Sequence, residues 1–236
     1  MKQPLVRRAA LGFRVHSGWA VLVALADPLD APTILDRRRI EIADASMAGS
    51  KQPYHAVRQL DLRKAEKLIA ACVEASVRLS KKAVAAAVHD AMGNGIRIST
   101  SGVLTASGTP LPALYKILAS HPLLHTAEGE LFRNAIRTAC KSCGLAVFNI
   151  KEKEVMGQSS LVLGISEIDI HRQLARMGRT VGSPWRQDEK FAALVAWLAL
   201  GADDQGGKSK REVSADMKQD ETGSGNNARN RGAKSC

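Results

Sequence analysis

Among the 6 histidines and 23 acidic residues of this chain, His125, Glu128 and Asp188 are the first candidates for acid–base or metal chemistry. His125 and Glu128 stand three apart in His121-Pro122-Leu123-Leu124-His125-Thr126-Ala127-Glu128, and Asp188 lies far downstream in Gln187-Asp188-Glu189. Residues three apart on a helix share a face, so an imidazole and a carboxylate there can cooperate in proton transfer. Glu128 and Asp188 also offer the hard oxygen atoms that Mg²⁺ or Mn²⁺ requires. Each acid has a plain structural use as well, because both fall near expected helix starts, where the helix dipole stabilises a carboxylate. Gly129, beside Glu128, costs a helix about 1 kcal/mol relative to alanine, which implies that another group approaches closely. His121, His125 and Glu128 follow one another at steps of four and three, a spacing compatible with zinc ligation. Pro122 is expected to start the helix after His121, which takes His121 off that face.

A second set of candidates is basic. Leu11, Phe13 and Val15 alternate with Gly12, Arg14 and His16, the two-residue period of a strand. A guanidinium stays charged at any accessible pH and ligates no metal. Arg14 and His16 therefore suit either pairing with carboxylates or direct binding of a phosphate. Arg37-Arg38-Arg39 falls on an expected edge strand, where arginines discourage edge-to-edge pairing and can also supply phosphate contacts. The 236 residues carry a formal charge of +11. From Asp203 onward the charges nearly cancel, so the excess sits in the body of the chain and points to an anionic partner, most simply nucleic acid. Trp185 beside Arg186 suits either core packing or stacking on a base. Cys140-Lys141-Ser142-Cys143 closes a helix and has no matching second pair, so it reads as ordinary buried or helix-end cysteines.

Four cysteines make no disulfide framework in a chain of this length. The basic start is followed by an apolar run broken by Arg14, His16 and Ser17-Gly18, which is no secretory segment. Phe191 to Leu200 is half the length a membrane span needs. The expectation is a protein of the reducing cytoplasm with no membrane contact.

The elements that must position these residues can be read in order. Leu11 to His16 and Trp19 to Ala26 are two strands joined by a tight turn at Ser17-Gly18, the second apolar throughout, as for a strand covered on both faces. Thr33 to Ile42 is a third, and Ala45 to Gln59 a loop whose distinctive residues are Pro53, Tyr54 and His55. Asp61 caps a long helix to about Met92, with Leu62, Ala65, Ile69, Cys72, Ser76 and Leu79 at helical steps. Ile96 to Leu104 is a fourth strand, followed by a loop with Gly108 and Pro110 and a short helix at Leu111 to Ala119. A helix opening near His121 runs to Cys143, and Leu145 to Ile150 is a fifth strand. A charged loop, a helix from Ser166 to Met177 and a final helix from Trp185 to Leu200, capped by Ser183-Pro184, complete the body. Residues 201–236 are rich in Gly, Ser, Asn, Lys and Asp and are expected to be a disordered polar tail. Three strands in succession, then strands linked by helices, give an α/β fold: a mixed five-stranded sheet, a three-strand antiparallel meander plus two parallel strands, flanked by helices.

This order resembles that of the ribonuclease H-like superfamily, and its details are similar to the RuvC resolvase branch. The resemblance covers roughly residues 9–200 and makes 1–200 one such domain. Leu11-Gly12-Phe13-Arg14 followed by Ser17-Gly18-Trp19-Ala20-Val21-Leu22 is similar to the family's Gly-x-Asp first strand and Gly-aromatic second strand. The helix from Glu128 through Ala139, with Gly144-Leu145-Ala146-Val147 and the Lys151 to Val155 segment, carries the second likeness. The third is Asp188-Glu189-Lys190-Phe191-Ala192-Ala193-Leu194-Val195-Ala196, similar to the family's late acids ahead of an Ala-rich helix.

The family's nucleases gather three or four carboxylates around two Mg²⁺ or Mn²⁺ ions that clamp the oxygens of an in-line phosphodiester displacement. The first-strand acid is replaced here by Arg14, and the fourth strand offers Ser99, Thr100 and Ser101 where the family places another. Glu128 and Asp188 remain as candidate catalytic and metal-binding acids, His125 as a helper, and Arg14, His16, Arg37, Arg38 and Arg39 as candidates for binding an anion or nucleic acid. Two functions follow: a divergent RuvC-like nucleic-acid-binding protein, with or without metal-dependent nuclease activity, or a catalytically inactive interaction module whose polar cluster is structural or holds a small anion. The ATPase branch of the same fold fits less well, for want of an early acid and glycine-rich phosphate turns.

Overall fold

The computed structural model describes residues 7–106 and 110–204. Chain contacts separate Met1–Gly201 from a second unit, Ala202–Cys236. In that second unit only residues 202–204 are described, and they are helical. The tail expectation otherwise lies outside the described residues, as does Gly108.

Within the first unit, β1 (Arg7–His16), β2 (Trp19–Ala26) and β3 (Thr33–Glu41) precede α1 (Pro53–Ala56) and the long α2 (Leu62–Gly93). β4 (Ile96–Thr105), α3 (Leu114–Leu118), α4 (His121–Ser142) and β5 (Ala146–Lys151) follow, then α5 (Val155–Leu163) and α6 (Glu167–Val181). A last helix, α7, begins at 187 and continues to the end of the unit. The sheet order is β3-β2-β1-β4-β5. β1 pairs antiparallel with β2, and β2 with β3, whereas β4 runs parallel to β1 and β5 parallel to β4. This is the expected meander plus two parallel strands, with β1 at the centre and the arginine-bearing β3 at an edge. The turn between β1 and β2 needs a left-handed residue, and Gly18 supplies it at φ +84°.

Strand alternation sends side chains into two cores. Leu11, Phe13, Leu22 and Val103 pack with Ile69 and Val84 of α2 and with Leu131, Phe132 and Ile136 of α4. On the opposite face Ala10, Val21, Val23, Leu25 and Leu104 pack with Ile170 and Leu174 of α6 and with α7, where every residue from Ala192 to Leu200 is buried.

The seating of α7 depends on two glycines. Gly12 and Gly102 are register partners on β1 and β4. A Cβ on Gly12 would overlap the Ala192 carbonyl oxygen and lie 2.7 Å from the Ala196 nitrogen; one on Gly102 would overlap the Val195 carbonyl. The helix backbone thus rests directly on the strands, at Ala192 and Ala196 over Gly12 and at Val195 over Gly102.

Three local expectations are corrected. The segment expected as a charged loop after β5 contains α5, where Val155 and Ser159 are buried. Its apolar residues Val155, Met156, Val162 and Leu163 pack on the second core, and tertiary burial overrides its weak periodicity. Ser183-Pro184 does not start the last helix. Glu189 instead accepts the Arg186 backbone N–H at 2.7 Å, the reciprocal half of a capping box. Finally, α4 includes His121, with Pro122 in its first turn, so His121 and His125 lie one turn apart on one face.

Gly12→Ala is expected to cost more than about 3 kcal/mol, because the obstacle is helix backbone that cannot rotate aside. Gly93→Ala, with open space around its Cα, should stay within roughly 0.5 kcal/mol of the parent. Urea unfolding of both variants measures the contrast.

Candidate functional site

The C-terminal ends of β1, β4 and β5 lie along one edge of the sheet because these strands are parallel. Arg14 shares the α7-facing side of β1 with Gly12. Its Nη1 donates to Glu152 Oε2, just beyond β5, and its Nε lies 3.5 Å from Asp188 Oδ1 in the first turn of α7. His16 Nε2 is 3.0 Å from the same Asp188 oxygen. A carboxylate can only accept, so that ring nitrogen carries the proton. The Arg14 guanidinium stands 5.5 Å from the centre of the Phe191 ring. His16 stacks on Trp19, ring centres 4.2 Å apart and planes 13° from parallel, and the Arg39 guanidinium lies 3.9 Å above the Trp19 ring.

Arg14, His16 and Asp188, singled out from the sequence, therefore meet. Glu152 joins them without having been anticipated. The signal was available: it is the acid following the last parallel strand, where such strand ends collect.

These residues do not fit a two-metal centre. Both acids are already committed to one guanidinium, and a divalent ion there would face a fixed positive charge at close range. Ser101 and Thr100 offer no carboxylate in its place, and their hydroxyls donate to the Ala146 carbonyl at 3.1 and 3.3 Å.

The arginine run is divided by strand alternation. Arg38 turns toward α2 and pairs with Asp36 and Asp90 at 2.6 and 2.9 Å. Arg37 turns the other way and donates to the backbone carbonyls of Gly182 and Pro184. Arg39, pairing with Glu41 at 2.8 Å, remains half-exposed. Trp185 is a packing residue: its indole N–H donates to the Leu174 carbonyl at 2.9 Å and its ring covers Gly178. Cys140 is buried, which pushes its thiol up to about 12 and makes it a poor nucleophile.

Glu128 and His125 lie elsewhere. α4 covers the face of the sheet opposite α7, so Glu128 and Asp188 do not share a site. Glu128 is fully buried. Its Oε1 accepts the His55 backbone N–H at 3.2 Å and bonds the His55 ring Nδ1 at 2.8 Å. Its Oε2 is 4.0 Å from His125 Nδ1 and has no hydrogen-bond partner among the described residues. The rings of His55 and His125, both beside it, cluster with that of His121, with centres 4.6 to 5.4 Å apart. Burial, and secondarily the charge of Glu128, pushes the Tyr54 hydroxyl upward. His55 came from a stretch with no helical or strand period, so nothing local to it announced a partner. The close approach implied by Gly129 is made by the Arg133 guanidinium, with Nη1 2.9 Å from where a Cβ would sit.

No family model matches the sequence, and no curated protein matches it. Solved structures do. RuvC from Thermus thermophilus in complex with a Holliday junction substrate aligns with a TM-score of 0.51 at 8% identity, over 84% of this chain and 96% of that one. A further Thermus thermophilus RuvC structure gives 0.48 at 11% identity over the same shares. Likeness at such identity concerns the fold, and together with the sheet order it gives this chain a ribonuclease H-like fold. No helix among the described residues is long and apolar enough to cross a membrane.

Arg14→Asp would place a third carboxylate beside Glu152 and Asp188. Its melting temperature is expected to fall without divalent ions and to recover with Mg²⁺. The recovery should be roughly 1 kcal/mol when the ion is at about five times its dissociation constant. The parent protein should show no such response in a thermal-shift series.

Proposed function

We propose that the chain is a RuvC-like nucleic-acid-binding protein that works without two-metal cleavage at its strand-end site. The observation that supports this most is the fold likeness to a protein solved on a Holliday junction, spanning nearly the whole of that protein. The +11 charge supplies the general attraction for phosphate that such binding requires. Arg39 and Trp19 are the contact residues in this reading. The guanidinium is half-exposed and can reach a backbone phosphate, while the indole gives it a flat support. His16 and Asp188 fix the ring below it. Arg14 holds Asp188 and Glu152 together, and Arg37 and Arg38 tie the edge strand to its neighbours; any of these three reaches an anion only by exchanging an internal partner.

A second reading, an inactive interaction module of the same fold, is favoured by one observation: Arg14 stands between both acids at the edge and ion-pairs with each.

Fluorescence anisotropy with a four-way junction, a duplex and a single strand separates the two. Nucleic-acid binding predicts dissociation constants of roughly 1–100 µM or tighter at physiological salt, weakening linearly in log–log form with salt. Arg39→Ala should reduce that slope by about 0.9, one phosphate contact, with Mg²⁺ producing no cleavage. Absence of salt-sensitive binding to all three substrates would leave the interaction module.

A further inference from the structure

The histidine cluster on the α4 side is independent of the strand-end edge and of the nucleic-acid reading. We propose that His55, His121 and His125 bind one divalent transition-metal ion of the Zn²⁺ type, with Glu128 as the buried carboxylate that orients His55 and offsets the ion's charge.

The placement of the donors comes first. Each histidine offers a ring nitrogen, and the three nitrogens lie within 4.8 Å of one another. Three imidazoles around a tetrahedral zinc at about 2.0–2.1 Å have nitrogens about 3.4 Å apart, so small ring rotations close the gap. His121 and His125 project from successive turns of α4, and α1 brings His55 across to them. Three imidazoles and no thiolate suit Zn²⁺, Co²⁺, Ni²⁺ or Cu²⁺, and not Mg²⁺ or Ca²⁺.

Glu128 provides the second, separate indication. A fully buried carboxylate with an unpartnered oxygen costs free energy, normally offset by a partner or a cation. Here Oε2 lies 4.0 Å from His125 Nδ1 with no described residue donating to it, and among the described residues no arginine or lysine pairs with Glu128. The bond from His55 Nδ1 to Oε1 fixes the proton on Nδ1, leaving the Nε2 lone pair for a metal. Carboxylates behind metal-bound histidines play this part widely. His121 and His125 are exposed, so the ion has an entry path and its fourth position faces water, as in sites that keep an open ligand position.

The test uses the full chain stripped with a chelator and then titrated with ZnCl₂ by calorimetry and with CoCl₂ by visible absorption. One equivalent of Zn²⁺ should bind at micromolar affinity or tighter and raise the melting temperature. Co²⁺ should give tetrahedral d–d bands without a thiolate charge-transfer band. His121→Ala and His125→Ala, both at exposed positions, should weaken Zn²⁺ binding by about a hundredfold, and Glu128→Gln by 10–100-fold. His89→Ala and His171→Ala should bind as the parent does. Binding unaffected by His121→Ala and His125→Ala, a thiolate band with Co²⁺, or no saturable Zn²⁺ binding would each overturn the assignment. Because the two alanine variants alter exposed side chains, the outcome stands even if Glu128→Gln fails to fold.

Discussion

The direct contact of α7 with Gly12 and Gly102 sets the rest of the structure. The nearest atoms of α7 to both glycines are backbone carbonyl oxygens, so the seating of α7 is set largely by backbone contact. Two residues beyond Gly12 along β1, about 7 Å further on, comes Arg14. One helical turn before Ala192, about 6 Å away, comes Asp188. The two steps match in length, and seating Ala192 on Gly12 therefore delivers Asp188 to Arg14. The same contact brings Phe191 to the guanidinium.

Given that seating, the chemistry of the edge follows from one residue type. A carboxylate at position 14 would leave a group of acids needing an external cation. An arginine supplies a permanent, planar cation with several donors, and Glu152 and Asp188 share it. All the members are partly exposed, so this cluster contributes modestly to stability and mainly fixes geometry. Through His16 it also positions the Trp19 ring on which Arg39 lies.

The sheet keeps this edge apart from the α4 cluster. One is open, strongly charged and internally ion-paired. The other adjoins a buried acid whose second oxygen has no donor among the described residues. The likeness to RuvC speaks to the shared scaffold, whereas what each cluster can bind depends on its own donors.

Much of this was legible in the sequence. The alternation in β1, the all-apolar β2, the periodicity of α2 and the strand–helix order determined the mixed sheet, since each is a local pattern. Arg14 was equally plain as a residue unable to ligate metal. What only the tertiary structure decided was which distant groups meet. Glu152 reaches Arg14 across 138 positions and His55 reaches Glu128 across 73, while Glu128 and Asp188, both expected near helix starts, belong to helices on opposite faces of the sheet, Glu128 two turns into α4. Periodicity says which face of its own element a side chain occupies. Which element that face meets depends on packing, here on two glycines and an alanine-rich helix, and so it emerges only once the layers are assembled.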